Sequence, residues 1–374
     1  VLRVKHHALR QHALRDKVLV IDEVHEADPY MARIIARLLE FRGRQSLPTI
    51  LMSATLPLSL RQTYADAYRR GQAAARATPG GGAPRRILGA RRAAPPSVDL
   101  RSKAYPCLTT IAGAAVRQEP IAATMPRQVN LRRIDGPEAC LAALERARAQ
   151  GASAVWIRNS VDEAIAAWRA LAARGVPARL LHSRFTGAER RGIERGLLTE
   201  FGPDRLDPQP GLPGEIVIAS QVIEAGLDID FDVMVTDLAP MSALLQRLGR
   251  NRRHLGRVRP DGLEDVPTLW VNAPDPEQAE GKDWLEANLG KGRYIYRDDV
   301  MWQTLAVIDR TPRIALPQDT RAIVEASLSE KGLPDWVRQL ADEFDAQARA
   351  DGWHADQVLI DPPSAAYTEQ IGRA

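Results

Sequence analysis

The sequence predicts an α/β protein, with two parallel-sheet units in series and a helical region after them. Three observations predict it. Short aliphatic runs recur, among them Val18-Leu-Val-Ile21, Thr49-Ile-Leu-Met52, Ala154-Val-Trp-Ile157 and Glu215-Ile-Val-Ile-Ala219. Such runs read as strands buried on both faces, as in the middle of a parallel sheet. Segments with apolar residues at helical spacing separate them, and alternating strand and helix means parallel strands joined by right-handed crossovers. Polar residues follow several runs at once, at the carboxyl ends of strands, where open α/β sheets bind ligands.

Bulk properties narrow the class. A chain of 374 residues has length for two or three packed domains. Hydrophobic residues at 45% and charged residues at 26% fit a soluble globular protein. A net charge of +4, rich in arginine, permits a polyanion partner without requiring one. Cys107 and Cys140 stand far apart, which fits a reducing cytoplasm and argues against a disulfide framework or a cysteine zinc site. The first residues hold no apolar run fit for a signal peptide, and no stretch approaches the ~18 apolar residues of a membrane helix. The chain starts with Val1, so a piece of a longer protein is expected.

The first unit is expected over residues 1–132. Residues 1–17 are basic and predicted helical. Asp22 and Glu23 stand just past the Val18–Ile21 strand. Asp22 is placed to hold a magnesium ion, directly or through a water, and Glu23 to orient or deprotonate a water. That pair suits nucleotide hydrolysis, where metal and positioned water do most of the work. The plainer reading is a core strand ending in two solvated acids. Asp28 as cap and Pro29 at the first helical position open a helix. Met31, Ile34, Ile35, Leu38 and Leu39 give it an apolar face, with Arg33, Arg37 and Arg42 pointing elsewhere. Ser53 and Thr55 end the second strand, beside the acids; their plainer reading is a cap and turn before a helix near Ser59–Tyr68. Residues 72–104 read as a flexible, basic Pro/Gly insertion. Tyr105–Ile111 is predicted to return to the first sheet, with a connector to about residue 132.

The second unit is expected over 133–273. Helices are predicted over Pro137–Gln150, Val161–Arg174, Thr186 to about Glu200, and Ser242–Gly249. Strands are predicted at Ala154–Ile157, Ala178–Leu181, Glu215–Ala219, Phe231–Thr236 and Pro267–Val271, the last of the sheet. Asn159 and Ser160 stand at the start of one helix, and His182-Ser-Arg-Phe185 ends one strand. Over 274–374 the alternation stops. Amphipathic helices are predicted over Asp299–Asp309, Asp319–Ser329 and Trp336–Ala350, with Trp302, Trp336 and Trp353 as core residues.

Two clusters in the second unit carry chemistry. In Ser220-Gln-Val-Ile-Glu-Ala-Gly-Leu-Asp-Ile-Asp230, Gly226 allows close backbone approach, and Glu224 and Asp228 can hold a ribose or arginine partners. A polar turn with a glycine is the plainer account. In Gln246-Arg-Leu-Gly-Arg-Asn-Arg-Arg-His254, Arg250 and Arg253 lie three apart and would share a helix face. Two guanidiniums aimed at one place suit a triphosphate. A solvated basic helix or a plain nucleic-acid patch is the alternative.

These elements occur in the order Asp-Glu-Val-His, Ser-Ala-Thr, Gln-Val-Ile-Glu-Ala-Gly-Leu-Asp-Ile-Asp and Gln-Arg-Leu-Gly-Arg-Asn-Arg-Arg-His. In that order the sequence resembles the superfamily II DExH helicases, and more closely the helicase of type I CRISPR systems. Finer marks are Val4-Lys-His-His-Ala-Leu-Arg10, the longer box Asp22–Asp28, Tyr105-Pro-Cys-Leu-Thr109, His182–Phe185, Asp228–Asp232, Asp237-Leu-Ala-Pro-Met241 and Leu316–Glu325. The resemblance covers nearly the whole chain and is weakest past about 330. It implies two RecA-like domains with ATP and Mg2+ in the cleft between them, stepping along single-stranded DNA in partnership with the CRISPR RNA-guided surveillance complex. It implies that Asp22 and Glu23 serve magnesium and water, and that His25, with Ser53 and Thr55, couples hydrolysis to movement. Gln246, Arg250 and Arg253 would reach the phosphates. Gly226 and Asp228 would lie near the sugar. Asn159, Ser160, His182, Arg184 and Gln221 would line the DNA track, with salt-dependent, sequence-tolerant contacts.

Two features depart from that family. No Gly-x-x-x-x-Gly-Lys-Ser/Thr loop occurs, because Gly281-Lys282 is followed by Asp283 and Gly290-Lys291 by Gly292. No His-Asp dipeptide of a nuclease metal cluster occurs either. The expectation is a carboxyl-terminal part of a larger helicase–nuclease, or a split protein whose other chain supplies the loop and nuclease. Little ATPase is expected of this chain alone, and residues 1–130 are expected to be less stable than 133–273. Two other readings stand beside this one: another DExH helicase acting on DNA or RNA, and a non-catalytic nucleic-acid-binding remnant or split subunit.

Overall fold

The structure is a computed structural model, and it describes residues 13–358 apart from 15, 25–28, 77–99, 101, 114, 124, 206, 208–210 and 225. His25, the Asp28 cap, the side chain of Trp353, nearly all of the predicted 1–17 helix and most of the 72–104 insertion lie outside the described residues. The chain falls into two compact units, one spanning Ala123–Asp342 and the other holding the residues on either side of it.

In the first unit, strand β1 (Leu19–Ile21) leads to helix α1 (Pro29–Arg44), strand β2 (Thr49–Leu51) and helix α2 (Leu58–Arg76). β1 and β2 pair in parallel, with Val20 opposite Ile50. The helices pack so closely that a Cβ on Gly43 would lie 2.0 Å from the Tyr68 carbonyl oxygen. Val24, Ile35, Leu39, Tyr64 and Ala67 form the small core under this ribbon. Arg42 corrects an expectation: it is buried. Its guanidinium donates to the carbonyls of Lys17 (2.7 Å) and Pro48 (2.6 Å) and to Thr49 Oγ1 (2.9 Å), so it knots the end of α1 to the start of β2. The expected double-faced burial of Val18–Ile21 is also corrected. Val20 is 52% and Ile50 49% exposed, because only one face of the ribbon meets the helices. The predicted return of Tyr105–Ile111 to this sheet is replaced by a separate hairpin, β3 (Cys107–Ala112) against β4 (Ala115–Pro120), antiparallel. A tight turn at Gly113 (φ +60°) sends the chain straight back.

The second unit is built on β5 (Arg127–Ile134), α3 (Pro137–Ala149), β6 (Ala154–Ile157), α4 (Val161–Ala173), β7 (Arg179–Leu181), α5 (Gly187–Phe201), β8 (Ile216–Ala219), β9 (Val233–Asp237), α6 (Met241–Leu248) and β10 (Thr268–Asn272). The order in its seven-stranded sheet is β11-β5-β10-β9-β6-β8-β7, with β11 the strand Arg313–Leu316. Every neighbouring pair is parallel except β11 with β5. Two expectations change here. Residues 127–132 form a strand rather than a connector, so the expected 132/133 boundary falls inside β5. The helical region also contributes an edge strand, so β10 is not the last of the sheet. The predicted helices are found; α5 starts with a capping box in which Thr186 and Glu189 satisfy each other's amides. Short α7 (Glu286–Leu289) is followed by α8 (Asp298–Arg310), α9 (Thr320–Ser327) and α10 (Asp335–Val358). Trp302 and Trp336 pack edge-on against each other, 5.3 Å between centroids, and both against Trp284, as core residues. Among the described residues no helix is long and apolar enough to cross a membrane.

Candidate nucleotide and nucleic-acid sites

In the first unit the register of β1 with β2 sets Ile21 opposite Leu51. Asp22, Glu23, Ser53 and Thr55 therefore gather at the carboxyl end of one ribbon. The ladder continues past the strands, with Val24 N–H donating to the Met52 carbonyl at 3.1 Å. Beside that bond Glu23 lies in the left-handed region (φ +48°), where non-glycine residues are uncommon and often functional. Asp22 Oδ1 turns back to accept the Glu23 amide at 2.9 Å, and both carboxylates are exposed. Ser53 Oγ accepts from the Thr55 amide at 3.2 Å, and the buried Thr55 Oγ1 has no hydrogen-bond partner among the described residues. The Tyr105 hydroxyl donates to the Ala54 carbonyl between them. Two exposed carboxylates are the hard oxygen donors that Mg2+ takes, one or two at a time, together with water and phosphate. Among the described residues no cluster of three or more acid, histidine or cysteine ligands occurs. The donor set thus fits an ion held partly by its substrate rather than by a closed protein cage.

In the second unit the site residues fall into two groups. Asn159 and Ser160 follow β6, His182 and Arg184 follow β7, and Gln221 follows β8. These strands are parallel neighbours, so all five residues lie at one end of the sheet. Their side chains differ in reach. Asn159 is buried, with Nδ2 donating to the Leu238 carbonyl (2.7 Å) and Oδ1 accepting from Arg247 (3.1 Å). His182 is buried and stacked on Phe185 at 4.1 Å, and Nδ1 accepts the Arg184 amide at 3.2 Å. Burial pulls its pKa below the ordinary value. Ser160 caps α4 by accepting from the Glu163 amide, Arg184 is exposed and paired with Asp162, and Gln221 donates to the Asn159 carbonyl at 2.5 Å. Ser160, Arg184 and Gln221 are the accessible members; Asn159 and His182 brace them from within.

The second group is the segment after α6. The shared helix face expected for Arg250 and Arg253 is corrected. Helix α6 stops at Leu248, and Arg252 (φ +45°) bends the chain into a loop. Gln246 sits half-buried on the last turn of α6, its carbonyl taking the Gly249 amide at 3.0 Å. Arg250 donates to the Glu224 carbonyl at 2.8 Å. Arg253 Nε donates to Asp228 Oδ1 at 2.7 Å, and His254 Nε2 meets the same oxygen at 2.9 Å. Hydrogen bonding from His254, then from Arg253, holds the Asp228 pKa below its usual range. Of the two partners expected for Glu224 and Asp228, the structure supplies arginines: Glu224 pairs with Arg247 at 2.8 Å. Gly226 has φ +80°, a conformation that favours glycine, and a Cβ there would meet nothing within 4 Å among the described residues, so the backbone faces open space.

Arg247 escaped the sequence reading. It is wholly buried and donates to Glu224, Thr236 Oγ1 (2.6 Å), the Asp237 carbonyl (3.1 Å) and Asn159. Burial alone would lower its pKa; the facing Glu224 raises it instead. Its signal was its phase, because Leu244, Arg247 and Leu248 share the buried face of α6. Asp230 and Asp232 were also missed. Arg259 bridges them at 2.7 Å each, and Asp232 further accepts from Ser153 Oγ at 2.6 Å. Burial pushes the Asp232 pKa up, but the Ser153 and Arg259 hydrogen bonds outweigh it and bring it below the ordinary value. No pattern within Asp-Ile-Asp-Phe-Asp distinguishes these acids from solvated ones.

Known proteins share this architecture. Residues 150–256 match the family model described as CRISPR-associated nuclease/helicase Cas3, C-terminal. The CRISPR-associated nuclease/helicase Cas3 of Streptococcus thermophilus is 32% identical over 87% of this chain, which spans 32% of that relative's length. A crystal structure of T. fusca Cas3 with ATP superposes with a TM-score of 0.80 at 27% identity, covering 97% of this chain and 40% of that one. A chain in a structure described as a CRISPR RNA-guided surveillance complex, pre-nicking, superposes with a TM-score of 0.77 at 28% identity, covering 98% of this chain and 44% of that one. The chain belongs to the Cas3 helicase family of type I CRISPR systems, and its α/β architecture is that family's RecA-like one.

Proposed function

We propose that this chain is the ATP-dependent helicase part of a type I CRISPR interference effector, which unwinds target DNA for degradation in antiviral defence. It would act in the cytoplasm on single-stranded DNA delivered with the RNA-guided surveillance complex. One observation carries the reading. The turn Gln221–Glu224 touches both groups of the second unit, with the Gln221 amide on Asn159 at the carboxyl end of the sheet and the Glu224 carbonyl on Arg250. A strand of DNA that moves Gln221 therefore moves an arginine meant for phosphate. ATP with Mg2+ supplies the phosphoryl group to be cleaved. In this chain Asp22 and Glu23 would hold the ion and orient the water, and His25, Ser53 and Thr55 would pass the event on. Gln246, Arg250 and Arg253 would reach the phosphates, the two arginines offsetting their charge, with Arg253 exchanging Asp228 for phosphate as it does so. Gly226 would keep the backbone beside the nucleotide free of a side chain.

Binding of a labelled single-stranded oligonucleotide, with and without Mg2+ and a non-hydrolysable ATP analogue, tests the proposal. The expected result is salt-dependent binding that the nucleotide alters, with log K falling by about 0.7 per phosphate contact per log unit of salt. ATP turnover by this chain alone is expected to be slight; robust DNA-stimulated turnover would overturn that expectation. Binding indifferent to nucleotide would favour a non-catalytic module or a split subunit whose partner chain carries the phosphate loop. Binding of RNA but not DNA would favour another DExH helicase.

A further inference from the structure

The peptide Gly290-Lys-Gly-Arg-Tyr-Ile295 follows α7 as a tight 3₁₀ turn. Its Gly-Lys-Gly is no phosphate loop, and the structure gives the glycines a different use. Gly290 has φ +50°, and a Cβ there would lie 2.3 Å from Glu163 Oε1. A Cβ on Gly292 would lie 3.2 Å from Asn159 Cβ and 3.7 Å from the Ser160 amide nitrogen. The turn therefore lies flat against the amino end of α4, at the end of the sheet where Ser160, Arg184 and Gln221 stand. Arg158 anchors its approach by donating to the Asn288 carbonyl at 3.3 Å.

What this turn shows to solvent is a cation and an aromatic ring. Lys291 is exposed and acts electrostatically on Asp162, the partner of Arg184. Tyr294 is 72% exposed. The Arg293 guanidinium sits 4.2 Å from its ring centroid and is itself held by Asp283 at 2.6 Å. A ring braced on one side by a fixed cation is ordered before any ligand arrives, which lowers the entropy cost of using it. Unpaired bases stack on such rings whatever their sequence, whereas bases in a duplex have no free face to offer.

We infer that Lys291 and Tyr294 extend the nucleic-acid track: Tyr294 stacks one unpaired base and Lys291 meets a neighbouring phosphate. This rests on the proposed reading of the Ser160–Arg184–Gln221 end as a single-strand track. The test is equilibrium binding of a short fluorescent oligothymidine to the full chain, across a salt series, for wild type, Tyr294→Ala, Tyr294→Phe, Lys291→Ala and Arg184→Ala. Tyr294→Ala is expected to weaken binding by roughly 5- to 100-fold, and Tyr294→Phe to stay within about 2-fold of wild type. Lys291→Ala is expected to flatten the slope of log K against log salt by about 0.7. No binding by wild type would defeat the track reading and this inference together. Weaker binding by Arg184→Ala with wild-type binding by Tyr294→Ala would defeat this inference alone. So would equal losses in Tyr294→Ala and Tyr294→Phe, since the hydroxyl bond to Arg293 and not the ring would then matter.

Discussion

Strands β1 and β8 are both short aliphatic runs, yet they live in different surroundings. β8 lies between β6 and β7, with helices over the sheet, and all four of its residues are buried. β1 pairs with β2 alone among the described residues, and Val20 and Ile50 face outward on its open side. Aliphatic sequence sets the tendency to form a strand; its neighbours on both faces and both edges set how much that strand contributes to stability. The same contrast marks the polar groups. Asp22 and Glu23 in the first unit are exposed, whereas Arg158, Arg247 and Asp237 in the second are buried in one connected network, and Asp232 is buried in another with Ser153 and Arg259. The second unit buries these charges within its own architecture, and the first leaves its two acids exposed at a strand end.

The sharpest way to break this comparison is to remove a buried charge from the second unit. Arg247→Ala removes the arginine that meets the Glu224 carboxylate and Asn159 Oδ1 and is expected to destabilise that unit by about 3–5 kcal/mol. Urea unfolding followed by tryptophan fluorescence reads this, since Trp156, Trp284 and Trp302 all lie in the second unit. A loss below about 1 kcal/mol would mean the network relaxes or hydrates at little cost. A pair of variants compares β8 with the β1–β2 ribbon. Ile218→Ala in β8 is expected to cost about 2–5 kcal/mol, whereas Ile50→Ala in β2 is expected to stay within about 1 kcal/mol. Equal costs would show that the outer face of the β1–β2 ribbon is covered in solution.

The smallest expected effect is on pH. The folded pKa of Asp232 lies below its ordinary value of 3.8. Its stabilising contribution is therefore fully present above that value and is lost as pH falls through the folded pKa. Asp232→Asn should accordingly flatten the acid limb of the stability curve of the second unit, read by denaturant midpoints between neutrality and about pH 3. An unchanged acid limb would place the titration elsewhere, with Asp228 the next candidate because it shifts in the same direction.

The amino-acid sequence by itself determined the strand and helix alternation, the position of Asp22, Glu23, Ser53 and Thr55 at strand ends, and the gathering of Ser160, Arg184 and Gln221. Each follows from local pattern: hydrophobic period, turn chemistry, and the rule that parallel strands present their carboxyl ends together. The tertiary structure decided what local pattern leaves open. It turned Arg250 and Arg253 off the helix, because the loop after α6 pairs with Phe231 and closes onto Asp230. It buried Arg42 and Arg247, made a strand of residues 127–134, and added β11 from a region that reads as helical. It also laid Gly290 and Gly292 against α4, where a side chain would collide. In each case the deciding partner is distant in sequence: Glu224 for Arg247, Asp228 for Arg253, Asn159 for Gly292. A run of arginines and glycines looks alike along its length, and the groups it folds against separate the structural residues from those left to meet a ligand.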